Sequence, residues 1–368
     1  MTRKKILWVA AVTCAALIAC LTTLTGLGDR LLTGYGNSSG DAPDGGRTEA
    51  WQNWDPSTWA RQSDDFLNPV IDGLWDTGRM RDSATTDQPV AEDIGTESQG
   101  ISDPEPAPVA AEPVPSSYRT NAPVVGKLFF DTPEGPSVCS GTVITDPARP
   151  GASDLVWTAG HCVHAGAEGG WFRNIVFVPS YNDEGAEGGP GEDAPDESVA
   201  PFGIWWADWA QTSEEWIAQG TATGGNGAPF DFAVLRVKRK GAESSASLEE
   251  TVGAAARVTF GAPEAKDIST MGIWGYPAAA PFDGERMFTC RSRPGRLSIR
   301  ADQPSLFRIG CTMTGGSSGG GWFTEDENGA PVLVSNTSIG PASQTWLAGP
   351  RLGPEAQQVY ESVSGRAG

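Results

Sequence analysis

Basic residues are in short supply in this 368-residue chain: 26 Lys and Arg stand against 46 Asp and Glu, a formal charge of -20. A chain of that sign repels a phosphate backbone instead of releasing its counterions, which excludes nucleic acid as the main ligand. Histidine is scarcer still, with only His161 and His164, so any imidazole chemistry must use one of two positions. No C-x-x-C pair occurs, and His161-x-x-His164 lacks an evident third ligand, so the sequence offers no metal site. Long stretches of strong helix formers are also missing, while 47 Gly and 28 Pro favour a β-rich, loop-rich domain over a bundle. With 39% hydrophobic residues there is material for one large domain with appendages.

The N-terminus reads as an export signal. Arg3, Lys4 and Lys5 precede an uncharged stretch over residues 6–27, which ends before Asp29. Such a stretch is also long enough to span a bilayer uncleaved, and Leu17-Ile18-Ala19-Cys20 is similar to a lipoprotein box. Residues 1–28 are therefore a signal peptide or a membrane or lipid anchor, and the protein is secreted or held at the cell surface. Residues 29–117 have no sustained periodicity and spread acids among Pro, Gly, Ser and Thr, the composition of a disordered linker or pro-segment. The cluster from Trp51, Trp54 and Trp59 to Phe66 and Trp75 is too apolar for a spacer and is expected either to dock on the domain or to act as a pro-segment.

Export permits disulfides. Outside the signal segment stand Cys139, Cys162, Cys290 and Cys311. Four cysteines allow three pairings, and proximity favours 139 with 162 and 290 with 311. From residue 118 to 368 the pattern is short β-rich runs between turns, at 124–130, 138–144, 155–158, 174–178, 230–237, 271–276, 286–291, 306–311 and 331–339, an all-β barrel or sandwich signature. Pro354 and the spacing of Ala356, Val359, Tyr360 and Val363 predict a C-terminal helix over 354–363, packed on the last barrel.

Three motifs carry chemistry. Trp157-Thr158-Ala159-Gly160-His161-Cys162 puts an imidazole at the end of an apolar strand, beside a cysteine able to pin it, as a general base requires. His164 lacks that setting and reads as a solvated loop residue. In Phe230-Asp231-Phe232-Ala233-Val234-Leu235 a lone carboxylate opens a hydrophobic strand, where orienting an imidazole would give it a partner. Gly315-Gly316-Ser317-Ser318-Gly319-Gly320-Gly321 can aim successive N–H groups at one point and leave a serine hydroxyl accessible. The window also fits G-x-S-x-G, but both histidines precede the serine, and the order His, Asp, Ser excludes the α/β-hydrolase arrangement.

With Cys139-Ser140-Gly141-Thr142, Gly275-Tyr276-Pro277 and Cys311-x-x-x-Gly315-Gly316-x-Ser318-Gly319 added, residues 118–365 resemble the chymotrypsin-like serine peptidases, on the bacterial branch similar to glutamyl endopeptidases. The resemblance implies two six-stranded antiparallel β-barrels with the site between them, His161 and Asp231 from the first and Ser318 from the second. It implies an endopeptidase acting on protein or peptide substrates through His161, Asp231 and Ser318, with Gly316 and Ser318 N–H groups as the oxyanion hole and no cofactor. The alternative is a protease-like binding module on a surface stalk, with little or no turnover.

Departures from the family restrict this. The position before the nucleophile, where trypsin-type zymogens place an activating Asp, is Ser317. The stretch 165–228, with Trp205, Trp206, Trp209 and Trp216, is longer than the family needs and reads as an insertion whose tryptophans pack locally. Asp183, Glu184 and Glu187 have no recognised calcium spacing. Thr312, Met313, Ser335 and Asn336 stand where the substrate pocket is expected. None is an acid that would select Lys or Arg, and no histidine stands there to select Glu, so an uncharged, medium-sized apolar P1 residue is expected.

Overall fold

The strands form where β-branched and aromatic residues cluster between Gly, Pro and Asp turns. The computed structural model describes residues 66–85, 89–91, 94, 101–191, 196–223, 225–239 and 246–366. The expected signal or anchor segment 1–28, with Cys14 and Cys20, and Trp51, Trp54 and Trp59 lie outside the described residues. Among the described residues no helix is long and apolar enough to cross a membrane.

Six strands make the first barrel: β1 Val125–Thr132, β2 Gly135–Ile144, β3 Leu155–Thr158, β4 Arg173–Pro179, β5 Trp205–Thr212 and β6 Ala233–Arg239. Antiparallel pairings run β2-β1-β4-β5-β6-β3 and close where β3 returns to β2. The stretch 165–228 is thus not a simple insertion, because β4 and β5 are two of the six staves. The polar residues in Trp205-Trp206-Ala207-Asp208-Trp209-Ala210-Gln211-Thr212 hide β5 from pattern reading; only its tertiary pairing makes it a strand. Alternation sends Leu128, Phe130, Ile175 and Phe177 into the barrel and Phe129, Val176 and Val178 to its outer face. That outer face is buried too.

What covers it is the region expected to be a disordered linker or pro-segment. Asn68 bonds the backbone of Ile175 and Ala207, Trp75 Nε1 donates to Asn174 O at 2.7 Å, and Arg79 pairs with the buried Asp131 at 2.5 Å. Residues 101–117 run along the second half, where Glu112–Pro113 pairs with Thr289 and Phe288 and Asp103 holds Arg296. In its described residues, 29–117 is packed as a wrap around both halves. Composition conceals this because the wrap binds through single side chains and two-residue bridges, without a repeating apolar face.

The second half contains β7 Met271–Gly275, β8 Phe288–Ser292, β9 Leu306–Gly310, β10 Gly321–Glu325, β11 Pro331–Asn336 and β12 Trp346–Pro350. β11, β10, β7 and β8 are consecutive in one sheet, while β9 and β12 pair in another. The two sheets face each other across Ile273, Phe307, Ile309, Trp322 and Val334. The C-terminal helix α1 Pro354–Val363 has the expected span and buries Ala356, Val359, Tyr360 and Val363. Its bed corrects the expectation of packing on the last barrel: Leu155, Trp157, Phe232 and Val234 belong to the first, and Tyr360 Oη donates to Thr145 O at 2.7 Å.

Candidate active site

β3 delivers His161 on a single 3-10 turn, Gly160–Cys162, which the disulfide Cys139–Cys162 ties back to β2. Gly160 is required there, since a Cβ would lie 2.7 Å from Thr212 Oγ1 and 2.9 Å from the Trp216 ring. Trp216 itself packs beside His161, ring centroids 6.2 Å apart, and donates through Nε1 to His164 O. The tryptophans of 165–228 are packing groups, as expected. The second disulfide joins Cys290 to Cys311, so both expected pairings are formed.

Asp231 leaves a 3-10 turn, Ala228–Phe230, just before β6 and is fully buried. Its Oδ1 accepts the His161 backbone N–H at 2.8 Å and its Oδ2 faces His161 Nδ1 at 2.7 Å. Oδ2 also accepts from Ser338 Oγ at 2.5 Å, and the Asp231 carbonyl accepts from Asn336 Nδ2 at 3.0 Å. A buried carboxylate needs such partners, and here every contact also fixes the imidazole. With Nδ1 engaged by the acid, His161 Nε2 has no partner among the described residues.

Ser318 sits on the turn between β9 and β10, 4% exposed. Its carbonyl accepts the Ser140 N–H at 2.7 Å, which joins the turn to the first barrel. No hydrogen bond links Ser318 Oγ to His161 Nε2; such contacts are commonly loose before substrate binds. Gly315 O accepts the Ala278 and Ala279 N–H groups, and Ser317 O accepts that of Gly320. In a trans peptide the next N–H points the opposite way, so Gly316 and Ser318 present their N–H groups away from those anchors, and neither donates to any described residue. Gly316 has φ +90°, and a Cβ there would meet Tyr276 O at 2.6 Å, so the sequence needs glycine at this point.

A cavity of about 240 Å³ opens at Ser318, with Met313, Thr314, Ser338, Ile339 and Trp346 among its walls and no ionisable side chain in its lining. Of the four expected pocket residues only Met313 lines it. Thr312 turns to the wrap, accepting the Ala111 N–H at 2.9 Å. Ser335 and Asn336 are fully buried in β11, where Asn336 also accepts from Trp157 Nε1. On this side the cavity wall begins at Thr337, just past β11, one residue beyond the expected Asn336. His164 is likewise not solvated: it is fully buried, edge-on to Trp171 at 5.0 Å, and its Nδ1 accepts the Gly166 N–H.

Cys139, His161 and Cys162 are the one group close enough to suggest a metal among the described residues, but the two sulfurs are joined as the disulfide. In the acidic loop Asp183 is engaged by the Ser117 hydroxyl and by the Arg119 backbone N–H and guanidinium. Sequence reasoning missed Ser338, gave Asn336 a place in the pocket instead of a hold on Asp231, and quoted Ser140 only within a motif, without a role. Polar residues within Val334-Ser335-Asn336-Thr337-Ser338 gave no signal of which one meets Asp231.

No family model and no curated protein matches the chain. Among solved structures it is similar to a thermostable serine protease, AL20, from an extremophilic microorganism, at 31% identity and TM-score 0.54 over 67% of this chain and 99% of that one. It is also similar to the protease Anisep from Arthrobacter nicotinovorans, at 27% identity and TM-score 0.53 over 70% and 99%. Identity of that extent over nearly the whole length of a relative, on a closed β-barrel joined to a second β region, places the chain in the chymotrypsin-like serine protease family.

Proposed function

We propose that residues 118–368 form an exported serine endopeptidase that hydrolyses peptide bonds through Ser318, His161 and Asp231. The observation that carries this reading is the pair His161–Asp231, bonded through Nδ1 and the backbone at once while Nε2 stays free. Asp231 holds the tautomer in which Nε2 is the base. Ser318 Oγ attacks the carbonyl carbon as Nε2 takes its proton, and the tetrahedral oxyanion is met by the Gly316 and Ser318 N–H groups. Collapse to the acyl-enzyme expels the amine, which receives the proton from His161, and water reverses the sequence. All groups come from the chain itself.

The two disulfides and the basic, then apolar, N-terminus support export, with 1–28 as signal or anchor. The uncharged cavity supports an uncharged, medium-sized apolar P1 residue, because a charged one would be buried without a counter-charge. A fluorophosphonate probe tests the main reading. Label is expected on Ser318 and absent from Ser318→Ala, and a folded wild-type chain that takes no label would favour the binding module. A P1 library checks the cavity, where preference for Glu, Lys or Arg would overturn the uncharged assignment.

A further inference from the structure

A chain with Ser317 in place of an acid before the nucleophile must hold its oxyanion loop by other means. Ser140, fully buried on β2, contacts that loop through its hydroxyl and its backbone N–H. Its hydroxyl donates to Gly316 O at 2.9 Å and accepts the Tyr276 N–H at 2.9 Å. Its own N–H donates to Ser318 O, and its carbonyl accepts from Thr158 Oγ1, on the strand that leads to His161. Gly315 O is held from the other side by Ala278 and Ala279. Ser140 and this loop therefore fix the carbonyls on both sides of the Gly316 N–H, and Ser140 also grips the residue whose hydroxyl attacks.

We infer that Ser140 is the positioning residue of the oxyanion hole, doing from the first barrel what a buried acid beside the nucleophile does in trypsin-type enzymes. This rests on the peptidase reading above. Removing the hydroxyl leaves Gly316 O and the Tyr276 N–H without their shared partner and frees the peptide to tilt, which weakens transition-state binding and leaves ground-state binding alone. Ser140→Ala is expected to lower kcat by about 10- to 100-fold with KM within about twofold. A peptide boronate, which needs the hole, should weaken in parallel. The low-field imidazole proton of the His161–Asp231 pair should stay in place. Ser140→Cys, which keeps a weaker donor, should fall between, and carries the test if the alanine variant does not fold. Wild-type kcat in either folded variant overturns the assignment, as does a loss that lies in KM. A wild-type chain that takes no fluorophosphonate label sinks the peptidase reading instead.

A separate contact lies across the cleft. Gly340–Pro341, the wall strand just past Ser338, pairs in parallel with Pro89–Val90 of the wrap. Pro89 lines the cavity that holds Ser318, and Val90, 5% exposed, is seated among Leu297, Leu306, Ile339 and Trp346. An extended peptide recognises such a strand edge through its main chain, and here the edge is already filled. The geometry points to residues 89–91 as a built-in competitor of peptide substrates at the proposed site. In the full chain Val90→Asp is expected to lower KM for a hexapeptide by about tenfold, which a synthetic peptide of residues 87–94 reverses competitively. Fluorophosphonate labelling, which needs only the nucleophile and base, separates the outcomes: no label in either protein defeats the peptidase reading. Equal labelling with unchanged KM defeats the competitor. Val90→Ala, with a smaller drop in the same direction, serves if the aspartate variant is misfolded.

Discussion

In the first half of the molecule β3 returns to β2 and the six strands close by hydrogen bonds. In the second the sheet of β7, β8, β10 and β11 and the pair of β9 and β12 share no strand ladder; the disulfide Cys290–Cys311 ties β8 to the end of β9, and the chain just past β11 meets β12 at the bridge Ile339↔Ala348. The closed half carries His161 and Asp231, whose polar atoms, apart from Nε2, point to fixed partners. The open half carries Ser318 and the cavity, walled by chain that has just left β11. The proton transfer proposed for His161 needs sub-ångström placement, which a closed barrel supplies, whereas a site proposed to admit different peptides is suited to loops between sheets.

If this division holds, the largest effects come from removing one chemical group from each half. Ser318→Ala is expected to cut kcat by at least about 10,000-fold without loss of fold, and Asp231→Asn by about 10,000-fold through loss of the correct tautomer. The double variant should be no worse than Ser318→Ala, read by active-site titration and kcat. Additive losses would mean that the halves act separately.

The disulfides sharpen the comparison. Each closes a short loop, with sequence separations of 23 and 21, so removing either is expected to cost about 3 kcal/mol in urea denaturation. Cys139→Ala with Cys162→Ala should also lower kcat, since Cys162 adjoins His161. Cys290→Ala with Cys311→Ala should lower stability with a smaller change in kcat.

Arg79→Ala probes the wrap on the closed half. Asp131 is fully buried, and burial raises its pKa, opposed by the Asn174 and Arg79 contacts. Without the guanidinium, roughly 2 kcal/mol of stability should be lost at neutral pH, visible in thermal unfolding. Arg296→Ala on the open half, an exposed group whose partner Asp103 is only partly buried, should cost clearly less than Arg79→Ala.

A pH-dependent effect lies at the junction. Lys127, on β1, is buried with Nζ on Gly284 O at 2.9 Å and Glu285 at 3.8 Å, between the Phe129 and Tyr181 rings. Desolvation lowers its pKa to about 8, against the pull of Glu285. The folded chain then releases this proton before the unfolded chain does, so between about pH 8 and 10.5 the unfolded state binds more protons and this group's contribution to stability rises with pH. Lys127→Met should remove that rise, measured as the difference in urea midpoint between pH 7.5 and 9.5.

Much of the site was legible because its signals are local. His161 and Cys162 follow one apolar strand, Asp231 opens another, and Ser318 lies in a glycine run, so short windows report the residues and their order. The disulfide pairs and the span of α1 were legible for the same reason. β5 was not, because Asp208, Gln211 and Thr212 interrupt its pattern and its neighbours β4 and β6 decide its state.

By itself, then, the sequence pointed to the groups proposed to do chemistry, since glycine at Gly316 and a lone acid at Asp231 are requirements of backbone geometry and desolvation that no neighbour can replace. Only the tertiary structure decided what holds them. Ser338 on Asp231 spans 107 positions, Ser140 on Gly316 spans 176, and Arg79 on Asp131 spans 52. Each is one side chain meeting one distant group, a contact that has no period and no motif until the barrels bring its ends together.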